Sequence, residues 1–139
     1  MSQNFRIGRR ILWNPSNRVA RLFLDVAAAA AGIAEKPVGL RDTGADEHEV
    51  DLATFEAFVN ALVRTYLGSN HPILRALLED FLATALVLVN RAGGTVGALE
   101  EDPVLSGRDV SAGPQGIGPL GDAARLLGLA AEYARGMPV

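Results

Sequence analysis

Two clusters of polar side chains have the residue types for chemistry. The first is Asp46, Glu47, His48, Glu49 and Asp51. Carboxylates beside an imidazole can hold a divalent cation, with Glu47, His48 and Glu49 as the candidate ligands. The spacing has neither the alternating oxygen ligands and turn glycine of a calcium loop nor two histidines one helical turn apart. The plainer account is an acidic cluster ahead of a helix, favoured there by the helix dipole. No metal site is expected. The second cluster is His71 with Arg75, Glu79 and Asp80. Positions 71, 75 and 79 step by one helical turn and share a face, so His71 and Glu79 are the candidate acid and base. No nucleophile accompanies them: cysteine is absent and there is no Gly-x-Ser-x-Gly elbow. A capping histidine and a structural ion pair account for the same residues, and no catalytic residue is expected.

Two further chemistries are weighed and set aside. Residues 93–121 are rich in glycine, yet no phosphate-cradling motif follows a strand there, and the one lysine is Lys36. Arg6, Arg9, Arg10, Arg18 and Arg21 form a basic patch near Phe5 and Trp13, a combination able to meet phosphates and bases. The net charge of -3 and the lack of a recognition-helix pattern argue against nucleic acid. Residues 1–41 carry a net charge of +5 and residues 42–139 a net of -8, so pairing between the two parts is the simpler expectation. No cofactor is expected.

These side chains must be placed by a fold of 139 residues, 49% of them apolar, which is enough for one real core. Without cysteine that core has no disulfide to help it. The stretch 70–92, NHPILRALLEDFLATALVLVNRA, organises the rest. From Phe81 to Val89 only Thr84 is polar, so this helix must be covered on every side. Its Arg75, Glu79 and Asp80 mark a core helix and not a membrane span. The start MSQNFRIGRRIL lacks the apolar run of a signal peptide. The expected location is the cytoplasm, with export by a signal-independent route left open.

Taken in order, residues 4–13 read as a hairpin around Gly8-Arg9, a type II′ turn, with Phe5 facing Leu12 and Arg6 facing Ile11. A lone hairpin is marginal, and the Glu49-Val50 region is a candidate third strand. Trp13, the single tryptophan, is either a core anchor or an exposed binding hot spot. Ser16 is the expected cap of a helix from Asn17 to about Ala31, stopping at Gly32, with Val19, Leu22, Phe23, Val26 and Ala30 as its apolar stripe. Residues 32–50 read as a loop. Asp51 should cap a helix over 52–67, and a short joint then leads to the central helix, capped by Asn70 or His71. Residues 93–121 hold eight glycines and three prolines and read as a flexible linker before a last helix over 122–135. The expected fold is mainly α: a small bundle of three main helices plus a short C-terminal helix, with an N-terminal β-hairpin. The expected division is a core domain over 1–92, a linker over 93–121 and a docking helix in 122–139.

The segments WNPSNRVARLF (13–23) and HPILRALLEDFLATALVL (71–88), with the acidic EVD at 49–51, resemble a family of short, uncharacterised actinobacterial proteins, a domain of unknown function. The resemblance covers roughly residues 1–95. It implies a bacterial, mostly helical domain and carries over no catalytic residue. Twelve arginines beside one lysine fit a GC-rich bacterial genome.

The functional expectation is a non-catalytic interaction module of the immunity, antitoxin or adaptor type. Its docking face would be Asp46, Glu47, Glu49 and Asp51, with Trp13 as a further interaction residue. A partner protein is expected, with homodimer formation through the C-terminal helix a second possibility, and no membrane. The alternative is a small-molecule binder or cofactor-free enzyme, its apolar pocket lying between helices and its last helix serving as a lid.

Overall fold

The computed structural model describes residues 1–105, 107 and 109–139. Its strands are β1 (Asn4–Ile7), β2 (Arg10–Trp13), β3 (Leu40–Gly44) and β4 (Glu47–Val50), and its helices α1 (Asn17–Ala34), α2 (Leu52–Leu67), α3 (Pro72–Arg91) and α4 (Ala123–Ala134). The strands form one sheet in the order β2-β1-β4-β3. The central pair β1 and β4 is parallel, and both outer pairings are antiparallel. This corrects the expected mainly α bundle with a hairpin. The described residues form an α/β fold of four helices and a four-stranded mixed sheet.

The second hairpin escaped the sequence reading for a physical reason. Strand β3 is LRDTG and almost wholly exposed, so it lacks the alternation that marks a half-buried strand. Its turn also carries no Asn-Gly signal. Ala45 and Asp46 both take left-handed conformations, φ 52° and 60°, as a type I′ turn requires. In the first hairpin Arg6 faces Ile11 as expected, but an irregularity between Phe5 and Arg6 sets Phe5 opposite Trp13. Such a bulge lets the consecutive residues Leu12 and Trp13 both reach the core, at 1% and 5% exposure.

Helix α1 begins at the Ser16 cap, whose Oγ accepts from the Val19 amide. It runs past Gly32 and ends where Glu35 adopts φ 53°. The extra turn brings Ala34 onto the core. Its buried line is Ala20, Phe23, Ala27 and Ala30. Three small residues on that line let the helix sit close, leaving the larger Val19 and Leu22 outside. Helix α2 is capped by Asp51 and buries Phe55, Phe58, Val59, Leu62, Val63 and Tyr66. Helix α3 is covered all round in its second half, where Phe81, Leu82, Ala83 and Ala85 through Val89 are all buried. The sheet and α1, α2 and α4 supply that cover. No helix of the described residues is long and apolar enough to cross a membrane.

The stretch after α3 returns along α2. Glu56 accepts from the Thr95 amide, Asn60 accepts from the Ala98 amide, and Arg64 pairs with Glu101 through two hydrogen bonds of 2.9 and 3.0 Å. The polar line on α2 is therefore the track on which residues 95–101 lie, and Ala98 between them is fully buried.

Candidate docking groove

The acidic residues read from the sequence are separated by the pleat of β4. Alternation sends Glu47 and Glu49 to one face and His48 to the other. Arg6, beside them on β1, bonds Glu47 at 3.0 Å and Glu49 at 2.9 Å, and Glu49 also accepts from the Gly8 amide. His48 stacks on Phe5 at 5.0 Å in the core, with Nε2 paired to Gln3 Oε1 at 2.6 Å. Asp51 caps α2 by accepting from the Thr54 amide, and Asp46 sits exposed in the β3–β4 turn. Trp13 is a core residue, stacked on Phe5 at 5.4 Å and edge-on to Phe23 at 5.3 Å.

His71 caps α3, its Nδ1 accepting from the Leu74 amide at 3.2 Å. Glu79 lies two helical turns on, about 12 Å along the axis. It accepts from Tyr66 Oη at 2.8 Å and Arg125 Nε at 2.7 Å. Arg75 does not pair with Glu79: it reaches the Leu120 carbonyl at 3.1 Å, and its Nε is buried without a partner among the described residues. One residue further, Asp80 accepts from Tyr133 Oη at 2.6 Å. These bonds clamp α4 onto α3. Burial, and then the hydrogen bond to Glu79, push the Tyr66 hydroxyl up to about 12. The hydrogen bond to Asp80 raises Tyr133, and the one to Glu79 raises Arg125.

Beside this clamp opens a groove of about 570 Å³ between α1, α3 and the end of α4. Val19, Leu22 and Val26 form one wall, and Leu77, Phe81 and Thr84 the other. Trp13, Phe23 and Met137 line its floor, and Asp80, Glu132 and Tyr133 its lip. Leu22 and Leu77 are 66% and 72% exposed. A second hollow, beside Asn90, Thr95 and Leu127, includes Arg91. That guanidinium is already bonded to the carbonyls of Leu12, Ala134 and Met137.

Residues 1–139 match a family described as Family of unknown function (DUF6086). The chain belongs to that family. The match takes in the glycine-rich stretch and α4, beyond the first 95 residues that the resemblance covers. No curated protein and no solved structure matches the chain.

The groove is the feature of this DUF6086 member that the sequence reading did not separate from the core. It merged Val19, Leu22 and Val26 with Phe23 and Ala30 into one stripe. The signal was present: apolar residues occupy so wide an arc of α1 that one neighbouring surface cannot cover them all.

Proposed function

We propose that this protein is a non-catalytic protein-interaction module, of the adaptor, immunity or antitoxin kind, whose docking surface is the α1–α3 groove. The observation that carries this reading is that Leu22 of α1 and Leu77 of α3 line the same groove, both well over half exposed. Contiguous apolar surface rimmed by polar groups marks an interaction site. The groove is favoured over the acidic 46–51 cluster because Glu47 and Glu49 are both tied to Arg6 within the sheet and only partly exposed. The bacterial setting we infer is actinobacterial, from arginine-rich composition and the resemblance of residues 13–23 and 71–88.

The test is capture of the partner from the native host by full-length protein. Leu22→Asp with Leu77→Asp should abolish capture while the helical circular dichroism stays unchanged. Asp46→Asn with Glu47→Gln and Glu49→Gln should leave capture intact. The opposite pattern would return the docking face to the acidic cluster.

A small-molecule reading has one observation in its favour: the groove volume falls within the roughly 300–1,000 Å³ of ligand pockets, with Asp80 and Tyr133 as polar anchors at its lip. Native mass spectrometry separates the two, since a bound small molecule adds a few hundred daltons and a partner protein adds its own mass.

A further inference from the structure

Helix α1 carries two apolar stripes. The inner one, Ala20, Phe23, Ala27 and Ala30, is buried in the core. The outer one is Val19, Leu22, Val26, Ala29 and Ile33. Its steps of three, four, three and four residues are the spacing of a seam between two paired helices. Val19, Val26 and Ile33 fall at the first position of successive heptads and Leu22 at the fourth. β-branched residues at the first position with leucine at the fourth suit two strands rather than three or four, and the second fourth position, Ala29, lets the two helices approach closely. Apart from Val26, which packs partly on the core, the seam is open: Val19, Leu22 and Ile33 are 48%, 66% and 47% exposed.

Charge adds a direction. Arg18 and Arg21 border the seam on the flank away from the groove, both exposed, and Arg21 has only a loose 3.6 Å pair with Asp25. Asp80 and Glu132, also exposed, stand on the groove's far lip. The Phe23 ring stacks on Phe81 at 5.1 Å, so Arg21 and Asp80 each lie within two residues of the same contact between α1 and α3. A two-fold axis running along α1 would bring the basic flank of each copy opposite the acidic lip of the other. An antiparallel pairing would set the two basic flanks beside each other, like charge against like.

We propose that the protein docked in the groove is a second copy of this chain, paired through α1 in parallel and in register. The inference rests on reading the groove as a protein-docking surface. Each α1 then lies against its counterpart and against the other copy's α3 wall, covering Leu22 and Leu77 together. The pairing is self-complementary, as a closed two-fold dimer requires.

Sedimentation equilibrium of the purified full-length chain tests this. The wild type should be dimeric at micromolar concentration, and Leu22→Asp should weaken dimerisation at least about tenfold with unchanged circular dichroism. Arg18→Glu with Arg21→Glu should weaken it, and adding Glu132→Arg to that variant should restore part of the loss. Because the chain has no cysteine, Leu22→Cys provides a single reporter. In a parallel, in-register pair it crosslinks to its counterpart on mild oxidation, whereas an Ala28→Cys control does not. A wild type that stays monomeric at about 100 µM overturns the proposal. So does a dimer indifferent to Leu22→Asp, or one that does not crosslink through position 22. A monomer that loses host-partner capture through Leu22→Asp with Leu77→Asp overturns the second copy but keeps the docking groove. A monomer whose capture ignores those substitutions overturns both.

Discussion

Tyr66 is the residue on which three helices meet. Its ring is buried in the core at 1% exposure, and its hydroxyl donates to Glu79, which in turn receives Arg125 from α4. Burial disfavours the phenolate, and ionisation would also place two negative charges together, so the hydroxyl is held up to about 12 against an ordinary value of 10.0. The folded state therefore keeps its proton where the unfolded chain has lost it. The contribution is fully present below about pH 10 and is lost as pH rises toward 12, a total of about 3 kcal/mol. Tyr66→Phe should flatten that part of the stability–pH curve and cost about 1 kcal/mol at neutral pH for the missing hydrogen bond. Urea unfolding at pH 8, 10 and 11 measures both. A variant retaining the wild-type loss above pH 10 would mean that another group carries it. The site residues divide the same way between legible and hidden. That Asp51 and one of Asn70 or His71 would cap helices could be read from their places before apolar runs. That Glu79 would find Arg125, 46 positions away, could not, because local spacing offered Arg75 as the nearer partner.

The sheet shows how two short hairpins become one element. Each alone would be marginal, and their joining line is the parallel pairing of β1 with β4. Phe5 opposite His48 binds that line on the core face, and Arg6 opposite Glu49 binds it on the outer face. Arg6 is only 24% exposed and holds two carboxylates. Arg6→Met should therefore cost about 1–3 kcal/mol, the range for charged hydrogen bonds in partly buried settings. The matching change Arg21→Met should stay within about 0.5 kcal/mol, since that pair is 3.6 Å apart with side chains 82% and 69% exposed. Guanidinium midpoints compare the two, and equal losses would deny Arg6 its joining role. The helices were legible because each carries a cap followed by periodic apolar residues over three or more turns. Strands β3 and β4, with four charged residues among nine, carry too little pattern to read, and Glu49-Val50 surfaced only as a possible partner for the first hairpin. The rotation of α1 was hidden for a different reason. Both of its stripes are apolar, and periodicity cannot say which one the core takes.

Across the whole molecule, the close approach of Gly121 to α2 decides how α4 joins the rest. A Cβ at this position would run into the carbonyl of Tyr66 and come within 2.8 Å of its Cδ1. The next residue, Asp122, caps α4 by accepting from the amides of Ala124 and Arg125. A shift at Gly121 is thus passed directly to the start of α4 and to the Arg125–Glu79–Tyr66 bonds. The far end of α4 has its own tie, where Arg91 of α3 gathers the carbonyls of Leu12, Ala134 and Met137. Between these ends Leu126 is fully buried and Gly128 has open space around its Cα. Two glycine-to-alanine changes nine and sixteen residues after Ala112 should therefore act in opposite directions. Gly121→Ala forces backbone against backbone, and should lower stability by about 2 kcal/mol, within the overpacking range. It should also weaken the loss of stability above pH 10, because Tyr66 no longer meets Glu79 in the same geometry. Gly128→Ala, in mid-helix with nothing to strike, should raise stability by about 1 kcal/mol and leave the alkaline behaviour unchanged. Thermal melts at neutral pH and at pH 11 read both effects. If α4 and the core form one cooperative unit, each variant moves a single transition. A second transition appearing in Gly121→Ala alone would show α4 melting by itself, with the clamp at Glu79 too slight to join it to the core.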